Sequence, residues 1–226
     1  MTHFTVYLSN ESKNTLPYDH NYLLGSAIYK LLKDMSEDAA KILHDAPYRT
    51  SYVISEIYRV SGKRGESWFR VGSGNGKVLE LLEESMKLGT KIQIGSTVFE
   101  VHGIKKHSFS LRPGEYLTLS PILLRDRNTG LSIVHDHPNY VSILQSAINA
   151  EVNKYLKKEG SIQIHHFESQ AVRKRKIGTR TVLAEKGRFL MSGSVDELKL
   201  LVDYGVGLSP ALGFGMIVPT EAECNE

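Results

Sequence analysis

Asp19 to Ile28 reads DHNYLLGSAI, and Asp136 to Ile148 reads DHPNYVSILQSAI. A second matching pair lies downstream of the first: SGNGKVLELL from Ser73 to Leu82 and SGSVDELKLL from Ser192 to Leu201, with Ser, Gly and three Leu coinciding in register. The order is the same in both halves, so the chain carries two copies of one supersecondary unit of roughly 110 residues.

Each copy is then read for periodicity. THFTVYLS alternates as a strand, and Leu24, Ala27, Ile28, Leu31 and Leu32 recur at helical spacing. SYVISEIYRV and SWFRVG are strand-like runs separated by the turn residues SGKRG. Val78, Leu81, Leu82 and Met86 form the stripe of a second helix, and KIQIGSTVFEVHGI is strand material, so the order is βαββαβ. The second copy repeats it with EYLTLSPILLR, a helix from about Asn139 to Lys157, a long hairpin from about Ser161 to Met191, a helix from Val195 to Tyr204 and a strand LGFGMIV beginning at Leu212. The expected fold is α+β, with two tandem ferredoxin-like, RRM-like modules over 1–110 and 114–226 joined near Leu111 to Gly114.

Composition narrows the class. With 226 residues and 41% apolar content the chain can bury a core, and its one cysteine, Cys224, excludes an internal disulfide and a Cys-based zinc site. The opening MTHFTVYLSNES lacks a secretory signal's features, and no apolar run approaches the roughly 18 residues that cross a bilayer, so the expectation is a cytoplasmic protein with no membrane partner. A net charge of +3 says little, but no acidic residue lies between Glu168 and Glu185, where Arg173, Lys174, Arg175, Lys176 and Arg180 fall. That window is a basic patch for an anionic partner or a solvated hairpin tip.

The glycines Gly205, Gly207, Gly213 and Gly215 invite a phosphate reading, but a dinucleotide or P-loop site needs a strand before the glycines and a helix after them. Here the helix comes first, and neither GxGxxG nor GK[ST] is present. GSGNGKV, from Gly72 to Val78, does sit between a strand and a helix, but its spacing is one short of a Walker loop and Val78 stands where Ser or Thr is needed. It reads as a glycine-eased turn. The HDH at His135 to His137 and the HH at His165 and His166 lack further ligands at obvious spacing, so no metal site is expected.

GVGLSPALGFGMI, lying after a helix and before the last strand, resembles the signature of the repeat-associated mystery protein superfamily, RNA-binding proteins of CRISPR systems. Within it the chain is similar to the CRISPR repeat-RNA endoribonucleases, the sixth Cas family. LPYDHNYLLGSAIYKLL followed by ILHD resembles that family's first helix and histidine-bearing segment, and TLSPILL is also similar. The resemblance implies tandem ferredoxin-like modules and cleavage of CRISPR repeat RNA. It also implies repeat RNA as the partner, with other Cas proteins of an interference complex and a second copy of this chain as further candidates.

RNA supplies its own nucleophile, the 2'-hydroxyl, so an RNase needs only to align it, remove its proton and protonate the leaving 5'-oxygen. No metal or other cofactor is required. By motif the resemblance assigns the catalytic histidine to His44 and a catalytic tyrosine to Tyr29, which shares a face of the first helix with Tyr22 and Lys33. Some members carry a lysine a few residues after the histidine. HDAPYRTSY offers Arg49 or Thr50 there, and an arginine acts as an electrostatic clamp rather than a proton donor. The basic hairpin, Arg173 to Lys176 with Arg180, and Gly205, Gly207, Gly213 and Gly215 are the expected RNA contacts. The alternative is a non-catalytic RNA-binding member of the same superfamily; a nucleotide-binding enzyme using GSGNGK is a third class.

Overall fold

A computed structural model describes residues 2–10, 16, 19–35, 52–63 and 65–220. His44, Arg49, Thr50 and Cys224 lie outside the described residues. The chain divides into two compact units, Met1–Ser108 with Ala211–Gly213, and Phe109–Pro210 with Phe214–Glu226.

The first unit runs β1 (His3–Ser9), α1 (His20–Met35), β2 (Val53–Ile54), β3 (Tyr58–Arg59), β4 (Glu66–Gly72), α2 (Gly76–Ser85), β5 (Lys91–Ile94) and β6 (Thr97–His107). Its antiparallel sheet has the order β2-β4-β1-β6-β5, with β3 also on β4. The first and third strands of the βαββαβ unit are therefore central, which is the ferredoxin-like order. Alternation along β1 sends Phe4, Val6 and Leu8 to one face, where they pack with Leu24, Ile28 and Leu32 of α1 and Val78, Leu79 and Leu82 of α2.

The second unit runs β7 (Gly114–Thr118), β8 (Leu124–Arg125), β9 (Ser132–Ile133), α3 (Tyr140–Leu156), β10 (Gln163–Ile177), β11 (Arg180–Ser192), α4 (Val195–Tyr204) and β12 (Ile217–Pro219). The sheet order β10-β11-β7-β12 repeats the arrangement of the first unit, and β8 and β9 form a separate hairpin. Leu144, Ile148 and Val152 of α3 meet Leu198 and Leu201 of α4 in the core.

The repeat now has a physical explanation. Leu24 and Ile28 match Leu144 and Ile148, one turn apart on the buried face of the long helix. Leu79 and Leu82 match Leu198 and Leu201 on the second helix. Asn75 and Ser194, three residues into each copy of the second motif, are the N-caps of α2 and α4. The Asn75 side chain accepts from the amides of Lys77 and Val78 at 3.1 and 3.4 Å, so the helix-start amides a phosphate would seek in GSGNGKV are already satisfied. Glu197 reaches back to the Ser194 amide and hydroxyl, both at 2.8 Å.

One boundary differs from expectation. β12 begins at Ile217 rather than Leu212, because Pro210–Leu212 forms a single 3-10 turn and Gly213 and Gly215 have φ of +81° and +70°. Such backbone cannot extend a strand. Among the described residues no helix is long and apolar enough to cross a membrane.

Candidate functional site

Tyr29 sits on the last half of α1 with its side chain 40% exposed. Tyr22, two turns earlier, is half-buried and Lys33, one turn later, is exposed, so the three form a wet stripe beside the buried Leu24–Ile28–Leu32 ridge. Tyr52 lies close enough for charge on Tyr29 to bear on it: burial pushes the Tyr52 phenol well above its ordinary value, and Tyr29 adds to the shift. His20, at the start of α1, is engaged structurally, its Nε2 accepting from the Ile57 amide at 3.2 Å.

The face of the first sheet opposite the helices carries residues that reading for chemistry did not single out. Tyr7 on β1 pairs across the strand with Trp68 on β4, and Tyr58 on β3 stacks on Trp68 with ring centroids 4.6 Å apart and 20° between planes. The Arg70 guanidinium lies 5.8 Å from the Trp68 ring and its Nε donates to Thr5 Oγ1 at 3.2 Å. Thr5 Oγ1 in turn bonds His107 Nε2 at 2.8 Å. The signal was available: TVYLS and SWFRV alternate, and the positions facing away from the core hold Tyr7, Trp68 and Arg70. Partly buried aromatic rings on a sheet face are the kind of surface on which RNA-binding proteins stack unpaired bases.

In the second unit, β10 and β11 pair over 15 and 13 residues and turn at Gly178. Arg173 and Arg175 share one face, Lys174 and Lys176 the other. Lys174, Lys176 and Arg180 are exposed and Arg173 is half-buried. Arg175 departs from the expected solvent-facing patch: it is 5% exposed and pairs across the hairpin with buried Val182.

The glycine-rich loop is packed rather than open. Val206 N donates to Gly215 O at 2.8 Å, Leu208 N to Leu123 O at 2.9 Å, and Gly215 N to Pro121 O at 2.9 Å. A methyl group on Gly215 would lie 1.8 Å from the Val206 carbonyl oxygen, so no larger residue fits without rebuilding the loop. Gly213 and Gly215 are buried, while Gly205, Gly207, Leu208 and Ser209 form its accessible rim.

The paired histidines are taken up locally. His135 Nδ1 and the His135 amide lie 2.9 and 3.0 Å from the fully buried carboxylate of Glu185, which also accepts from Ser169. His165 Nε2 bonds Ser192 Oγ at 2.8 Å, and His137 Nδ1 accepts from the Asn139 amide at 3.2 Å. Among the described residues no group of three or more His, Cys, Asp or Glu is placed to hold a metal ion.

The fold is that of the tandem ferredoxin-like RAMP proteins. A solved structure described as an RAMP protein binding different RNA substrates superimposes with a TM-score of 0.78 at 19% identity, covering 96% of this chain and 98% of that one. A second, described as CRISPR associated protein Cas6, gives 0.80 at 21% identity over 97% of this chain and 99% of that one. The family model described as CRISPR associated protein Cas6, C-terminal, matches residues 105–219, more than half of the 226, and the chain belongs to that family. The CRISPR-associated endoribonuclease Cas6 1 of Methanocaldococcus jannaschii is 24% identical over 231 residues, 95% of this chain and 91% of its own length.

Proposed function

We propose that this chain is a metal-independent endoribonuclease that cuts CRISPR repeat RNA. The observation that carries the reading is the match over nearly the whole chain to a relative named as a CRISPR-associated endoribonuclease, together with membership of the Cas6 family. In the proposed reaction the 2'-hydroxyl beside the scissile phosphate loses its proton and attacks the phosphorus. The bond to the 5'-oxygen then breaks, leaving a 2',3'-cyclic phosphate and a 5'-hydroxyl.

His44 and Tyr29 are the proposed proton-transfer groups, with Arg49 stabilising the charge that grows on the phosphate. Exposure of the Tyr29 side chain and its place beside Lys33 support a role in contacting substrate. Arg173, Lys174, Lys176 and Arg180 hold phosphates without reading sequence, and the Gly205–Gly207 rim of the loop offers further contacts to RNA. Buried Arg175, Gly213 and Gly215 shape these elements rather than touch RNA. The stacked Tyr58 and Trp68, with Tyr7 across the strands from Trp68, add a platform for unpaired bases.

The test is incubation of repeat RNA with wild type and His44→Ala in EDTA, with identification of the product ends. Cutting by wild type to cyclic-phosphate ends, abolished in His44→Ala and by one 2'-deoxy residue at the cut site, is the expected result. Continued cutting of the 2'-deoxy substrate overturns the mechanism. One feature favours a second reading, that of a non-catalytic RNA-binding member: HDAPYRTSY contains no lysine. Tight binding without cleavage would establish it.

A further inference from the structure

Asn21 is 1% exposed, at the first turn of α1, yet a buried amide is costly unless it is hydrogen-bonded. Its Nδ2 donates to the Gly213 carbonyl at 2.7 Å, across 192 positions of sequence, and its Oδ1 has no partner among the described residues. One turn further along the same face is Gly25, where an added methyl group would lie 2.6 Å from the Ala211 carbonyl oxygen and 3.3 Å from Leu212 Cα. The loop is fitted reciprocally: a methyl group on Gly213, whose φ is +81°, would lie 2.9 Å from Asn21 Cβ. Ala211, Leu212 and Gly213 accordingly count with the first compact unit. Tyr29 follows Gly25 by one more turn, about 6 Å along the helix axis.

We infer that Asn21 and Gly25 form a socket on α1 that holds the tip of the glycine-rich loop, and that Asn21 is a positioning residue for cleavage. This rests on the endoribonuclease reading above. Asn21 supplies a side-chain donor to the loop tip, and Gly25 supplies the space for the loop backbone to lie directly on the helix. With Ala211–Gly213 fixed on α1, RNA lying against this tip is held at a set distance from Tyr29 on the same helix. A displacement of about 1 Å between reacting groups costs about a hundredfold in rate.

Asn21→Leu removes the donor at constant bulk. Asn21→Asp places a carboxylate against a carbonyl oxygen; burial raises the acid's pKa, and once protonated it donates again. Gly25→Ala introduces the better helix former, which in an unconstrained helix interior is stabilising. Single-turnover cleavage and affinity for repeat RNA are measured for all three between about pH 6 and about pH 8, with amide exchange over residues 205–216 and thermal unfolding as a check on folding.

The expected result is little change in RNA affinity and cleavage reduced about tenfold or more. Asn21→Leu and Gly25→Ala are slow at every pH, and Asn21→Asp recovers relative to wild type as pH falls. Exchange of the loop amides rises in all three. Wild-type cleavage rates in these variants, or unchanged loop exchange, overturn the socket. Exchange needs no substrate, so it decides the socket even if wild type cuts no RNA, a result that overturns the endoribonuclease reading instead.

Discussion

At Tyr29 one hydroxyl separates two accounts of the exposed stripe on α1. Tyr29→Phe keeps the ring and removes the acid, so repeat-RNA affinity is expected to stay near wild type while single-turnover cleavage falls about a hundredfold or more. Equal loss of affinity and rate would make Tyr29 part of the RNA-binding wall instead. Glu197 invites a stability experiment. Burial pushes its carboxyl up, but the amides and hydroxyls of Ser194 and Ser161 outweigh this and hold it down to about 2. A carboxyl depressed on folding stabilises the protein above its ordinary value near 4.5, and that stability is lost as pH falls from there toward 2. Glu197→Gln should lower stability by about 2 kcal/mol at neutral pH and flatten its decline in acid, read by denaturant unfolding across that range. The Ser-x-x-Glu spacing of Ser194 and Glu197 is a capping-box signal in plain sequence, and the repeat drew notice to the same residues for another reason. Burial of Arg175 was not legible in this way, because a run of like charges suggests one patch whereas a strand sends alternate side chains to opposite faces.

The β10–β11 hairpin is the element on which RNA affinity should turn. Lys174→Glu with Lys176→Glu reverses two charges on its exposed face and should weaken binding of repeat RNA and lower the dependence of affinity on salt by about two counterions, seen as a shallower slope of affinity against salt concentration. An unchanged slope would place the RNA elsewhere. Arg175→Ala acts through folding instead and should lower the unfolding midpoint. Helices and long strands were legible because their apolar spacing survives in both copies, as Leu24 and Ile28 against Leu144 and Ile148 illustrate. The start of β12 was not, since LGFGMIV reads as an apolar extended run and only the positive φ of Gly213 and Gly215 reveals a loop. The aromatic platform was not legible because Tyr58, Trp68 and Tyr7 come from three strands and become neighbours only in the folded sheet.

For the molecule as a whole, internal repetition specified the architecture before any side chain was assigned a task. Both sheets put the first and third strands of each βαββαβ unit at the centre. The proposed catalytic residues His44, Tyr29 and Arg49 all fall in the first copy: the second has Asp136 and His137 where the first has Asp19 and His20, but no counterpart of the ILHD segment after its long helix. Acid stability is also a property of the whole. Asp126, held down chiefly by the Thr129 amide and hydroxyl, joins Glu197 in losing its contribution as pH falls below the ordinary carboxylate range.

The bond from Asn21 to Gly213 also imposes an order of events on the chain during its manufacture. All residues of α1 have left the ribosome long before residue 213 is made, so the helix bearing Tyr29 waits with the Asn21 amide hydrated and Gly25 uncovered. Contacts this distant in sequence form late. The last piece of the first unit to arrive, Ala211–Gly213, is therefore translated only after the second unit's α4, and a chain cut short before Ala211 would lack the segment that covers its own first helix.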